Sequence, residues 1–517
     1  MLNRNRERST NFVPTSRRPL LGYASSFLIA ALGAQLGGLA SGGAAFAGSD
    51  NVEVNGQKMM PIPDGVALSW KVDCFWGEPI SYGGKSFRAM GYANGQMINF
   101  MDIEASYWPA RFKLAPGEKL VLTGYFPHAR YSSINSYGGG APTSSLVDVD
   151  IEPDAGSKNP FRQGARRDTP DDQRRYTIYV INEPEPTNKA DRAPNTLYAR
   201  PAAEPYDIVE LRYRTYLVDQ TPQNAFDQRG GVPLPTPVKL ILVGGSERPG
   251  AALCERDRAM AQKMFFRAIP PDTVSSWWQG FPCTGKTPKG AFCNDPFTAP
   301  AQNPPVTEKF FGIPYSLKGL FLPQEQRAKL TPPSSCKLAK GFEGNADNAY
   351  MMTFLNNRFG KVVELRGRYP RTPRTYFNND TWDQSKADLR YWSVMSGNEP
   401  SSTQIAAGIV DEQIPQNKDG YFSIIVSKPE DRPKTATQAC GHAWLDWGRR
   451  GDFTGRDGQT VVVWRNTLPA NGFEKSLLAV CKAGTEKAKM GEYMPTGRYF
   501  EDAESFDAKV GCLTGGK

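Results

Sequence analysis

Gly117-Glu-Lys-Leu-Val-Leu-Thr-Gly-Tyr-Phe-Pro127 decides how this chain is read, because Gly360-Lys-Val-Val-Glu-Leu-Arg-Gly-Arg-Tyr-Pro370 repeats its plan 243 residues further on. At that offset Tyr107 falls on Tyr350, Gly117 on Gly360, Leu122 on Leu365, Gly124 on Gly367 and Pro127 on Pro370, without a gap. A short run of aliphatic and β-branched residues bounded by Gly and Pro is the pattern of a strand. A Gly just before it suits a turn that needs positive φ. The order of blocks persists downstream. Arg130-Tyr-Ser-Ser133 answers to Arg390-Tyr-Trp-Ser393, Tyr176-Thr-Ile-Tyr-Val180 to Tyr421-Phe-Ser-Ile-Ile-Val426, and Val209-Glu-Leu-Arg-Tyr213 to Val461-Val-Val-Trp-Arg465. We read a duplicated module.

Strands are expected at Lys119–Thr123, Tyr176–Val180, Val238–Val243, Lys361–Leu365, Phe422–Val426 and Thr460–Trp464. Helices are expected only at Cys254–Arg267, Gln324–Leu330 and Phe473–Val480. The predicted fold is mainly β, two tandem antiparallel β-sandwich modules. The first covers residues 48–243 and the second 341–517, with a connector at 244–340. That connector holds Pro270-Pro271, Pro304-Pro305, Pro332-Pro333 and four of the eight cysteines. Proline removes ladder donors, so the connector is not expected to supply a central strand. Its aromatics Trp277, Trp278, Phe310, Phe311, Tyr315 and Phe321 argue against a solvated tether.

Residues 1–47 read as a cleaved export signal. Arg4, Arg6, Arg8, Arg17 and Arg18 stand against Glu7, an apolar stretch follows, and Ala45-Phe-Ala47 places small residues before a cut at Gly48. Ser16-Arg-Arg-Pro-Leu-Leu21 resembles a twin-arginine signal. Removing five Arg and one Glu lowers the net charge from +9 to +5, too little to argue for nucleic acid. No later stretch is long and apolar enough for a membrane span, so a periplasmic or secreted protein is expected, not an integral membrane one. In an oxidising compartment the eight cysteines read as disulfides. Expected pairings are Cys283–Cys293, and Cys440 with Cys481 or Cys512.

With His128 and His442 as the only histidines, multi-histidine metal sites are excluded and any histidine-dependent triad must use one of these two. Gly280-Phe-Pro-Cys-Thr-Gly-Lys-Thr287 satisfies the phosphate-loop pattern, yet Pro288 follows where a helix must begin, so no nucleotide is expected. Asp148, Asp150 and Asp154 are candidate calcium ligands, set against a solvated strand edge with an Asx turn at Asp154-Ala-Gly156. No other cofactor is indicated. Arg130, Tyr131, Arg390, Tyr391 and Trp392 are candidate ligand-binding residues, because Arg beside aromatic rings can grip sugars, carboxylates or lipid head groups. The competing reading of these five is packing between or within the sandwiches. His442, beside Cys440 and Trp444, reads as packed, and His128 as exposed.

The blocks Gly124-Tyr-Phe-Pro127, Arg130-Tyr-Ser132, Asp154-Ala-Gly-Ser-Lys-Asn-Pro-Phe161, Asn195-Thr-Leu-Tyr198, Leu389-Arg-Tyr-Trp-Ser393 and His442-Ala-Trp-Leu-Asp-Trp447 look like those of exported bacterial proteins of unknown function. The resemblance spans most of residues 60–243 and 341–500 and implies a β-sandwich architecture and an envelope location. It implies no activity and no catalytic residue. The expected function is binding of a ligand or envelope component, whether glycan, lipid or small molecule. The alternative is a carboxylate-dependent hydrolase of an extracellular carbohydrate or other polymer.

Overall fold

The computed structural model describes residues 53–54, 57–58, 75–76, 100–138, 141–199, 208–221, 224, 228–253, 301–312, 315–316, 330–331, 333, 335–336, 344–376, 383–397, 405–448 and 458–513. The expected helices at Cys254–Arg267 and Gln324–Leu330, the phosphate-loop pattern and the Cys283–Cys293 pairing fall essentially outside them. Met1–Pro61 form one compact unit, with Glu53–Val54 antiparallel to Gln57–Lys58. Ile62–Lys517 form the other.

The second unit is mainly β, a stack of sheets. Its first half holds β1 (Ala105–Lys113), β2 (Lys119–Tyr125), β3 (Ala129–Gly138), β4 (Ala141–Val147), β5 (Arg175–Ile181), β6 (Thr196–Tyr198), β7 (Ile208–Val218), β8 (Thr236–Ile241) and β9 (Glu247–Pro249). The second half holds β10 (Thr307–Lys309), β11 (Asn348–Asn356), β12 (Val362–Arg368), β13 (Leu389–Gly397), β14 (Ile405–Val410), β15 (Tyr421–Ser427), β16 (Ala443–Asp446), β17 (Gln459–Pro469) and β18 (Thr496–Phe500). In the first lobe an inner sheet runs β1-β7-β3-β4 and an outer sheet β9-β8-β2-β5-β6. In the second, the inner sheet runs β10-β11-β17-β13-β14 and the outer β16-β15-β12-β18. Strand for strand the two orders correspond, with β9 and β10 as additions at an edge. Pairing is antiparallel except at β5–β6 and β15–β16, both parallel. Each inner sheet carries a register shift at the matching place, between Ser136 and Tyr137 and between Ser396 and Gly397.

Alternation of side chains assigns the layers. Leu120, Leu122, Ile178 and Val180 enter the first lobe's core with Trp108, Leu211 and Tyr213. Val363, Leu365, Ile424 and Val426 enter the second's with Trp392, Val394 and Trp464. A third layer lies between the two inner sheets, where Tyr107, Tyr131 and Tyr216 meet Met352, Phe354, Tyr391, Met395, Val461 and Val463. Each fully buried aliphatic side chain contributes about 1.5–3 kcal/mol over an exposed one. Because each inner sheet has a core on both faces, β3 and β13 are buried almost end to end rather than on alternate residues.

The turns before β2 and β12 use left-handed glycines, Gly117 at φ 83° and Gly360 at φ 152°. The connector's described parts stay at the sheet edges, as β9 and β10, in keeping with its prolines. The helix expected over Phe473–Val480 is corrected to a single 3-10 turn at Leu477–Ala479. So few residues cannot repay helix nucleation, and Lys309 Nζ takes the Leu477 and Val480 carbonyls at 3.1 and 2.6 Å. Two short helices were not expected: α1 (Glu486–Met490) and α2 (Ala503–Lys509). Cys440 pairs with Cys512, one of its two expected partners, and Cys481 pairs with Cys336. Among the described residues no helix is long and apolar enough to cross a membrane.

Candidate functional site: the seam between the lobes

Burying Arg and Asp away from water is costly unless each is paired and hydrogen-bonded. In the seam the pairing runs across the lobes and is reciprocal. Arg130 of β3 donates from Nη1 to Asp411 Oδ2 of the second lobe at 2.5 Å, from Nη2 to Glu412, and from Nε to Thr375 Oγ1 at 2.9 Å. Its counterpart Arg390 of β13 donates from Nη1 to Asp148 Oδ1 of the first lobe at 3.3 Å and to the Arg130 carbonyl at 3.2 Å. Each aspartate begins a 3-10 turn just after the edge strand, β4 or β14, of its lobe's inner sheet. Each also accepts a backbone N–H from its own lobe, Asp148 from Ser132 at 2.7 Å and Asp411 from Trp392 at 3.3 Å. Burial pushes the Asp148 carboxyl up to about 6, against the pull of Arg390. Burial raises Asp411 as well, opposed by Arg130.

The tyrosines one residue on cross in the same reciprocal way. Tyr131 donates to Asp347 Oδ2 at 2.7 Å, and Tyr391 donates to both oxygens of Asp102 at 2.8 and 2.9 Å. Ser393 Oγ adds a bond to Asp102 at 2.6 Å. Arg214 lies 5.4 Å from the Tyr107 ring centre and Arg465 5.5 Å from that of Tyr350, a matching pair of cation–π contacts. Burial raises Tyr107 and Tyr137 to about 12 and drives Tyr131, Tyr216 and Tyr391 well above the ordinary phenol value. All five therefore stay neutral donors at any physiological pH.

The five Arg and aromatic residues put forward as ligand contacts are all buried. Arg130, Tyr131 and Tyr391 are 0% exposed, Trp392 2% and Arg390 4%. Arg130, Arg390, Tyr131 and Tyr391 come together in the seam. Trp392 points the other way into the second lobe's core, donating from Nε1 to the Pro370 carbonyl at 3.1 Å. The three candidate calcium ligands do not converge. Asp148 holds Arg390, exposed Asp150 meets Lys189 at 3.0 Å, and Asp154 accepts from Thr177 Oγ1 at 3.1 Å. Among the described residues no group of three or more His, Cys, Asp or Glu is placed to hold a metal. The strand edge expected at Asp148–Asp150 is instead a 3-10 turn, and the Asp154 turn closes through its backbone, Ser157 N–H to Asp154 carbonyl.

His442 is packed as expected, with Nδ1 2.8 Å from Ser423 Oγ and Nε2 2.8 Å from the Gly511 carbonyl. His128 is half-buried, its Nε2 2.6 Å from Asp171 Oδ1. It lines a small pocket with Phe161, Arg167, Arg174 and Asp219. The charges there engage one another: Arg167 meets Asp219, and Arg174 spends its guanidinium on the carbonyls of Thr169, Phe126 and Pro127.

The correspondence between the lobes breaks at one end of the seam. Tyr131 and Ser133 pair across the sheet with Tyr216 and Arg214, while Tyr391 and Ser393 pair with Thr467 and Arg465. Two residues further along, Asn135 stands where the second lobe has Met395, and their neighbours are Ser145 and Gly408. Asn135 Nδ2 donates to Ser145 Oγ at 2.7 Å, Ser145 Oγ to Asp347 Oδ2 at 2.7 Å, and the Ala346 N–H to Asn135 Oδ1 at 3.1 Å. Asn345 Nδ2 reaches the Tyr131 hydroxyl at 2.8 Å. At the other end a Cβ on Gly408 would lie 2.7 Å from Met395 Cγ and 2.9 Å from Ile103 Cγ1, an apolar packing with no room to spare. Sequence reasoning missed Asp347, Asn345, Asn135 and Ser145. The gap-free offset sets Asp102 against Asn345, two places short of Asp347.

No protein-family profile matches the chain, and no curated protein sequence matches it. Among solved structures it is similar to an uncharacterised protein from Burkholderia cenocepacia, 14% identical with a TM-score of 0.37 over 72% of this chain and 75% of that one. It is also similar to a structural-genomics target from Vibrio parahaemolyticus, 11% identical with a TM-score of 0.34 over 81% of this chain and 96% of that one. These neighbours are uncharacterised bacterial proteins.

Proposed function

We propose that this chain is an exported protein of the periplasm or secreted fraction that binds a ligand or envelope component, built from two copies of one β-module clasped face to face. One observation carries the reading: the reciprocal Arg130–Asp411 and Arg390–Asp148 ties across the seam. Buried ion pairs add little net stability over apolar packing, and fixing one arrangement against its alternatives is their best-attested use. A seam built this way holds two lobes in one orientation, as a binding site shared between them requires. The matching strand orders and the matching Arg, Tyr and Asp positions support duplication. The Cys336–Cys481 and Cys440–Cys512 disulfides and the leader-like sequence of residues 1–47 support export.

The adjacent carboxylates of Asp411 and Glu412 do not favour hydrolysis. Both are held by Arg130, and Glu412 Oε1 also accepts from the Tyr376 N–H at 2.7 Å. The test is thermal melting of the purified mature chain against envelope glycans, phospholipid vesicles and a small-metabolite collection. A true ligand raises the midpoint in a concentration-dependent way. A midpoint that no class moves removes the binding reading. Export is tested by cell fractionation of an Arg17→Lys/Arg18→Lys variant, which is expected to stay in the cytoplasm.

A further inference from the structure

We draw no further inference here: the strongest candidate, the buried Glu364–Ser423–His442 side-chain cluster on the outer sheet of the second lobe beside the Cys440–Cys512 disulfide, has its polar groups spent on one another, on Arg498 and on the Gly511 carbonyl, and nothing in the structure shows what would uncover it.

Discussion

The first lobe lines its end of the seam with Asn135, Ser145 and Tyr137, while the second sets Met395, Gly408 and Gly397 at the same stations. Around that difference the two lobes agree in strand order, in register shift and in the Arg, Tyr and Asp that cross between them. Features the two lobes share answer to the need of one sheet to recognise the other. Those they do not share answer to something else.

The largest test of the shared part is the pair of arginines. Arg130→Ala leaves buried Asp411 without its cation and Glu412 with Arg374 alone at 3.7 Å, and a loss of about 3–5 kcal/mol in chemical denaturation is expected. Arg390→Ala strands only Asp148, which can take up a proton near pH 6. Its cost is expected to be smaller and to shrink further at pH 5. An Arg390→Ala loss equal at pH 7 and pH 5 would mean that Asp148 does not take up the proton that softens it.

The paired glycines come next. A Cβ on Gly360 would lie 2.3 Å from the Phe500 carbonyl oxygen, whereas on Gly117 it would meet only Val243 Cγ2 at 3.4 Å. Both substitutions pay for a left-handed backbone, about 1–3 kcal/mol, and Gly360→Ala is expected to be the worse by melting temperature. An order reversed would place the tight approach of β12 to β18 in doubt.

The tyrosines are expected to differ less. Tyr391→Phe removes a hydroxyl that both oxygens of Asp102 accept, and costs about 1–3 kcal/mol. Tyr131→Phe leaves Asp347 with Ser145 and Asn135, as Tyr391→Phe leaves Asp102 with Ser393 and the Glu104 N–H, so its loss is expected in the same range. A double-mutant cycle with Asp347→Asn and Asp102→Asn isolates each bond.

The smallest effect is a slope. Asp148 titrates near 6 in the folded protein and near the ordinary value of about 3.9 when unfolded. Between those values the native state holds more protons, so this group's contribution falls as pH rises through the window and recovers on acidification. Asp148→Asn is expected to flatten stability against pH between about 4 and 6 relative to the wild type, by the same linkage. An unchanged slope would assign the dependence to Asp347 or Asp411, whose carboxyls burial also raises.

How much of this was legible in the sequence depends on which neighbours a strand has. The outer strands β2, β5, β12 and β15 announce themselves, because one face is apolar and Gly or Pro marks their ends. The inner strands are harder to read. Ala129-Arg-Tyr-Ser-Ser-Ile-Asn-Ser-Tyr-Gly138 is buried on both faces yet rich in hydroxyls and amides, since one face meets a polar seam. Neither alternation nor an apolar run appears there. Arg130-Tyr131 and Arg390-Tyr391 were legible as matched pairs, but not what they match. Their partners Asp411 and Asp148 lie 281 and 242 residues away in the chain, and pairing at that distance leaves no local pattern. Asp347 was hidden for a related reason, two places off the gap-free offset.

The connector's two short strands bear on solubility. Of the eight strands that terminate the four sheets, β6, β9 and β10 have three residues each and β16 has four. A row of three residues exposes too few unpaired amides and carbonyls to template another chain, one of the devices by which β-proteins avoid edge-to-edge association. Among the described residues, the four stacked sheets of Ile62–Lys517 thus offer a second molecule short footholds at half of their margins, which lowers the risk of aggregation while the lobes find each other.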